Sequence, residues 1–105
     1  MKIIETTIFT RRLKTFLHDE EYRCLQNELI LNPEKGKIIR ESGGLRKTRW
    51  LIPGRGKRGG VRIIYYWFNK KETILMLLIY SKNEQDDLRN KQLKILKTLV
   101  EKELQ

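Results

Sequence analysis

The pattern of apolar and polar residues in the first third of the chain predicts one strand and two helices. Residues 3–9 are rich in isoleucine and threonine and predict a β-branched first strand. Residues 10–17 carry apolar side chains at helical spacing, which predicts a short helix. A second helix follows over residues 18–32: its first turn holds three carboxylates, which suit the positive end of a helix dipole. Pro33 ends it, because proline disfavours the helical conformation for the residue before it.

The middle of the chain predicts three strands. Residues 34–42 form a turn and an irregular segment, and residues 45–52 then alternate as a strand, with Lys47 and Arg49 on one face. The glycine-rich stretch 53–60 excludes regular structure. Residues 61–68 predict the next strand and residues 73–80 the last. The last strand is continuously apolar, which is typical of a strand buried on both faces.

A final helix is predicted after Asn83, a good N-cap residue, with Glu84, Asp86 and Asp87 in the first turn. Its core face carries leucine and isoleucine at helical spacing, and further apolar residues widen that face. A helix this broadly apolar meets either more of the core or a partner. The core face is Leu88, Ile95 and Leu99, widened by Leu93, Leu96, Val100 and Leu104.

These elements give the order β-α-α-β-β-β-α. The order predicts an α+β fold with a mostly antiparallel, twisted sheet and helices packed on one face. A chain of 105 residues fits a single domain spanning 1–105.

No stretch is apolar and long enough for a membrane span, the N-terminus lacks the apolar core of a signal peptide, and Cys24 is the only cysteine. We therefore expect a cytoplasmic protein without a membrane partner.

Charge changes this picture most. The formal net charge is +10, which predicts a polyanionic partner such as RNA, DNA or an acidic protein. The charge is concentrated in residues 43–67, a predicted hairpin that we interpret as either a polyanion clamp or an active site for phosphodiester chemistry. Its seven cations are Arg46, Lys47, Arg49, Arg55, Lys57, Arg58 and Arg62.

Metal and cofactor chemistry is poorly supported. One histidine, His18, and one cysteine cannot supply the usual zinc ligands. Glu84, Asp86 and Asp87 are better explained as helix-start residues than as a magnesium site. The glycine-rich loop lacks the lysine and hydroxyl that end a P-loop. We expect no cofactor and no metal.

Arg62 is the most informative cation, because it begins an otherwise apolar strand. If this strand pairs with residues 45–52, Arg62 converges with Lys47 and Arg49, and Tyr80 and Lys82 approach the same place. Such a cluster permits metal-free ribonuclease chemistry: the RNA 2′-hydroxyl is the nucleophile, cations stabilise charge at phosphorus, and a lysine or tyrosine moves protons. A surface that only binds nucleic acid has the same composition, so both interpretations remain open.

Three motifs in order resemble the RelE/ParE toxin superfamily, most closely its RelE/HigB messenger-RNA interferases of type II toxin–antitoxin systems. They are Gly-Gly-Leu-Arg-Lys-Thr-Arg-Trp at 43–50, the glycine-rich turn and strand at 54–67, and Leu-Ile-Tyr-Ser-Lys-Asn-Glu-Gln-Asp-Asp-Leu at 78–88. The resemblance implies a RelE-like fold and a metal-independent endoribonuclease that cuts messenger RNA in the A site of the 70S ribosome, leaves a 2′,3′-cyclic phosphate and inhibits translation. It also implies a cognate antitoxin, with operator DNA bound only through the toxin–antitoxin complex.

Two other functions fit the same features. A ParE-like protein would share the fold and inhibit DNA gyrase by binding, without using the cations for catalysis. A non-catalytic RNA-binding protein would show strongly salt-dependent binding without cleavage. The phosphate-gripping strand and the basic turn favour RNA over gyrase.

The resemblance also assigns roles. Arg62 matches the arginine that grips the scissile phosphate, Lys47 and Arg49 match a cationic pair, and Lys82 lies in the post-strand motif. Asn83 and Arg89 stand where the family has an arginine and a tyrosine. Proton transfer would therefore fall to other residues: Tyr80, Tyr66 or Lys82, or else Lys47 or Lys57. The candidate catalytic residues are Lys47, Arg49, Lys57, Arg62, Tyr80 and Lys82, and the candidate RNA-binding residues are Arg46, Arg55, Arg58 and Tyr66.

Overall fold

A computed structural model gives the fold and describes residues 1–51, 60–85 and 87–103. Within these residues, five strands and three α-helices follow one another, with a turn of 3-10 helix at Asn69–Lys71 between the last two strands. The elements are β1 Lys2–Glu5, α1 Thr7–Phe16, α2 Asp19–Leu31, β2 Lys37–Ile38, β3 Leu45–Trp50, β4 Val61–Phe68, β5 Thr73–Ser81 and α3 Asn90–Glu103. None of the described helices is both long and apolar enough to span a membrane.

The five strands form one sheet in the order β1-β5-β4-β3-β2. β1 pairs with β5 in parallel, and every other pairing is antiparallel. The expected α+β class with a mostly antiparallel sheet is confirmed, and β4 and β5 occupy the centre. All residues of β5 from Thr73 to Tyr80 are buried, as the continuous apolar run predicted. β2 was missed: its two residues are exposed at the sheet edge and carry no hydrophobic pattern.

The helices cover both faces of the sheet, which differs from the expected packing on one face. Phe9 of α1 and Leu25 and Leu29 of α2 pack with Ile63 and Tyr65 of β4 on the first face. On the second face, Leu96 of α3 packs on a separate cluster from β3, β4 and β5. A strand that is apolar on both sides requires helices packed on both faces of the sheet. Helices on one face only, as the sequence-based interpretation had them, would leave the other apolar face of β5 exposed to solvent.

The first strand is shorter than expected, because Thr6 ends it. The Thr6 hydroxyl oxygen accepts a hydrogen bond from the Phe9 backbone N–H at 3.1 Å and donates to the Leu77 carbonyl at 3.0 Å. This N-cap begins α1 at Thr7, so Ile8 and Phe9 are helical and the prediction that they belong to the strand was wrong.

The last helix begins at Asn90 instead of just after Asn83. Residues 82–84 form a turn, in which the Glu84 carboxylate accepts from the Ser81 backbone N–H at 3.0 Å. Gln92 accepts from the Arg89 N–H at 3.0 Å at the true helix start. Leu96 is buried, and Leu88, Leu93, Leu99 and Val100 are partly buried against the same cluster, as the predicted core face and its widening require. Ile95 is 49% exposed, so its place in the core face was wrongly predicted, and Leu104 lies outside the described residues.

Candidate functional site

Strand pairing brings the candidate cations together. Arg62 on β4 lies directly opposite Arg49 on β3 and opposite Tyr80 on β5. Directly opposed residues have Cβ atoms about 4.5–5.5 Å apart. Lys47 lies two residues from Arg49 and therefore shares its face. We name Lys47, Arg49 and Arg62 the cationic cluster; the convergence that the sequence predicted is present, on the face that α3 covers.

The turn before β3 joins β2 to the strand that carries Lys47 and Arg49. The Ser42 hydroxyl oxygen accepts from the Leu45 N–H at 2.9 Å and donates to the Ile39 carbonyl at 2.6 Å. Gly44 has a φ of +107°, and a Cβ there would lie 3.2 Å from the Tyr66 ring. A side chain at Gly44 would therefore be strained by the backbone and crowded by β4.

Arg62 is the buried member of the cationic cluster. It is 8% exposed, whereas Arg49 is exposed. Among the described residues, no hydrogen bond is donated by the Arg62 guanidinium. Like charges directly opposite in a sheet repel, and a buried charge is costly without a partner. An anion beside Arg49 and Arg62 would offset both costs.

Asp87 is a site residue that the sequence interpretation assigned to a helix turn. Lys47 Nζ donates to Asp87 Oδ1 at 2.5 Å. The hydrogen bond and charge of Lys47, with smaller contributions from Arg62 and Arg49, hold the pKa of Asp87 below its ordinary value. All three cations of the cluster thus act on this carboxylate. Its position in the third motif was visible in the sequence, but its contact with β3 was not.

Tyr80 lies beside the cluster but beneath its surface. The residue is 1% exposed, and its hydroxyl is buried without a hydrogen-bond partner among the described residues. Burial raises the pKa of Tyr80, the Asp87 charge raises it further, and Arg62 acts in the opposite direction. In this conformation the hydroxyl is close to the charges of the site without opening to solvent.

Three other candidates lie farther from the cluster. Lys82 is exposed in the turn after β5, and no contact of the described residues links it to the cluster. Tyr66 is on the same face of β4, four residues beyond Arg62, and is half-buried. Arg46 is on the opposite face, where its Nη1 donates to the carbonyls of Glu34 at 3.1 Å and Gly36 at 2.8 Å.

The remaining candidates lie outside the described residues: Arg55, Lys57 and Arg58 of the glycine-rich turn, and Asp86. Of the carboxylates considered for magnesium, Glu84 pairs with Arg12 at 2.5 Å and Asp87 pairs with Lys47. The two described carboxylates therefore form ion pairs with side chains on different elements and do not converge on one magnesium ion.

Comparison with known proteins agrees with the fold and the motifs. The family model described as the RelE toxin of the RelE/RelB toxin–antitoxin system matches residues 1–105. Among solved structures, a double arginine-to-alanine mutant of the E. coli toxin RelE in the free state is similar, with a TM-score of 0.53 and 15% sequence identity. That likeness covers 81% of this chain and 86% of that chain, and at this identity it supports the fold. Because the family model spans every residue, the chain belongs to the RelE toxin family of toxin–antitoxin systems.

Proposed function

We propose that this protein is a ribosome-dependent endoribonuclease that cuts messenger RNA in the ribosomal A site and thereby halts translation. The observation that carries the proposal is the buried Arg62, placed against Arg49 and beside Lys47 on one sheet face. Family membership supports it, since the motifs at 43–50, 54–67 and 78–88 resemble messenger-RNA interferases. Membership in a toxin–antitoxin family also implies an antitoxin partner.

The proposed reaction needs only the RNA and side chains of this chain. The 2′-oxygen attacks the adjacent phosphorus, the bond from phosphorus to the 5′-oxygen breaks, and the products carry a 2′,3′-cyclic phosphate and a 5′-hydroxyl. Arg62 and Arg49 stabilise the charge that develops on the phosphoryl oxygens. A general base takes the 2′ proton and a general acid supplies one to the leaving oxygen.

Proton transfer falls to Lys47 or Lys57 in this proposal. Lys47 is half-buried at the rim of the cationic cluster, so a substrate can reach its amine. Tyr80 would first have to leave its buried position, and burial holds the pKa of its hydroxyl above the ordinary value. Lys82 and Tyr66, which lie on either side of Arg62 along the sheet, would contact the flanking RNA.

Removing the charge of Arg62 tests the proposal. Arg62→Met keeps most of the buried volume and removes the guanidinium, so we expect cleavage to fall by about 100-fold or more, as for loss of a group that stabilises transition-state charge. The measurement is primer extension on messenger RNA after incubation of translating ribosomes with purified protein.

Arg11→Met is the matched control, since Arg11 is exposed on α1 on the other side of the sheet. It should cut like the wild type. If the wild-type protein gives no A-site cuts, the enzymatic function is excluded; binding without cuts would instead support a non-catalytic RNA-binding protein. Equal cutting by folded Arg62→Met would remove Arg62 from the site.

A further inference from the structure

The cationic cluster already holds an anion that belongs to the protein. Among the described residues, Asp87 is the carboxylate that contacts the cluster, through Lys47 at 2.5 Å. The charges of Arg49 and Arg62 also act on it. A carboxylate and a phosphate both present oxygen acceptors with negative charge, and lysine and arginine bind either one.

We propose that Asp87 occupies in the free protein the place that an RNA phosphate takes at Lys47, so that RNA binds by displacing the Asp87 carboxylate. This inference rests on the proposed function, in which the cluster binds phosphate. Asp87 then competes with the RNA phosphate for Lys47 and lowers the affinity of the protein for an RNA that makes few contacts with it. RNA positioned at several points at once overcomes the competition, because each further phosphate contact adds affinity.

The Asp87 side chain is free to move aside. It is 75% exposed, and an exposed ion pair is weak. A cavity of about 200 Å³ lies next to it, lined by Ile39, Leu88 and Asn90 among others. The carboxylate can therefore rotate away from Lys47 without meeting packed side chains.

The backbone around Asp87 is held independently of its carboxylate. Gln85 Nε2 donates to the Asp87 carbonyl at 2.8 Å and to Gln92 Oε1 at 2.9 Å at the start of α3. These bonds anchor the segment to the helix whether or not the carboxylate contacts Lys47. Glu84 differs, because its carboxylate accepts from the Ser81 backbone N–H as well as from Arg12. The Asp87 carboxylate can thus leave Lys47 while the backbone of Asp87 stays in place.

The test compares RNA affinity of Asp87→Asn with that of a matched control. Glu28→Gln removes the same charge and also breaks an exposed lysine–carboxylate pair, with Lys35 at 2.7 Å, on the α2 side of the sheet. The probe is a fluorescein-labelled 2′-O-methyl RNA oligonucleotide, which cannot be cleaved, and binding is measured by fluorescence anisotropy without ribosomes. We expect Asp87→Asn to bind about 3- to 5-fold more tightly than the wild type, the size of one surface pair, and Glu28→Gln to change affinity by less than about 2-fold.

Thermal unfolding should be the same for both variants, because each loses one surface pair. An Asp87→Asn affinity equal to that of Glu28→Gln, or weaker than that of the wild type, would overturn the inference; the weaker result would mean that Asp87 orients Lys47 for the RNA. Lys47→Gln in the same assay separates this outcome from the proposed function. If Lys47→Gln binds as tightly as the wild type, the phosphate site itself fails, whatever Asp87→Asn does.

Discussion

Two neighbouring tyrosines on β4 have different environments because successive residues of a strand face opposite sides of the sheet. Tyr65 is fully buried on the α1–α2 face. Its hydroxyl accepts from the Gly36 backbone N–H and donates to the Pro33 carbonyl, both at 2.8 Å. It therefore ties the turn after α2 to the middle of the sheet. Tyr66 faces the other side, toward the candidate site, and is half-buried.

Tyr65→Phe should reduce the free energy of unfolding by about 1–3 kcal/mol, because it leaves the buried Gly36 N–H without an acceptor. Tyr66→Phe is the matched control and should stay within about 0.5 kcal/mol of the wild type, as no hydrogen bond to its hydroxyl occurs among the described residues. Urea denaturation measures both. Equal losses for the two variants would show that the Tyr65 hydrogen bonds add nothing to stability.

At the scale of the elements, α3 is anchored less firmly than α1. Leu96 is the buried residue of its described part, and Leu93, Leu99 and Val100 are partly buried on the same cluster. α1 is held more firmly, by Phe9, by the Thr6 cap and by Arg12, whose Nε donates to the Ile79 carbonyl at 2.8 Å. The packing of α3 therefore depends strongly on one side chain.

The adjacent residues Ile95 and Leu96 test this dependence. Leu96→Ala should cost about 2–4 kcal/mol, because it opens a cavity under α3. Ile95→Ala should cost less than about 1 kcal/mol, since Ile95 is 49% exposed. Amide hydrogen exchange on Leu96→Ala should show α3 exchanging faster than α1. A larger loss for Ile95→Ala would mean that α3 is rotated relative to the structure described above.

At the scale of the whole molecule, the net charge of +10 is divided between the two faces of the sheet. The cationic cluster lies on the α3 face, next in sequence to the glycine-rich turn with Arg55 and Arg58. Arg11 and Arg23 lie on α1 and α2, the helices of the other face. Total charge attracts RNA from any direction, but only cations at the contact release counterions.

Arg55→Gln with Arg58→Gln should weaken binding to single-stranded RNA. The plot of log affinity against log salt, which has a negative slope, should become less steep by about 1.4, or about 0.7 for each lost phosphate contact. The double variant of Arg11 and Arg23 removes the same charge and should leave the slope unchanged. Anisotropy titrations at several potassium chloride concentrations give the slopes. Identical slopes for the two double variants would show that the turn does not contact the RNA.

The local patterns that predicted elements correctly are those in which one physical effect dominates. β4 was placed at Val61–Phe68 because β-branched and aromatic residues fill it, and α2 ended where Pro33 required. The predictions failed where two local choices are nearly equal. Asn83 is a good N-cap residue although the helix begins only at Asn90, and Ile8 and Phe9 suit a strand or a helix. The hydrogen bonds that Thr6 and Gln92 accept from the backbone N–H groups of Phe9 and Arg89 decided both cases.

The sequence by itself determined the α+β class, the strands that carry Lys47, Arg49 and Arg62, and the excess of positive charge, because these follow from side-chain period and composition. Only the tertiary structure decided which of the candidates meet. Strand register set Arg49 opposite Arg62. The packing of α3 buried Tyr80, and the loop before it carried Asp87 to Lys47 across 40 residues of chain. Contacts between residues so far apart depend on how the elements pack, which no local pattern records.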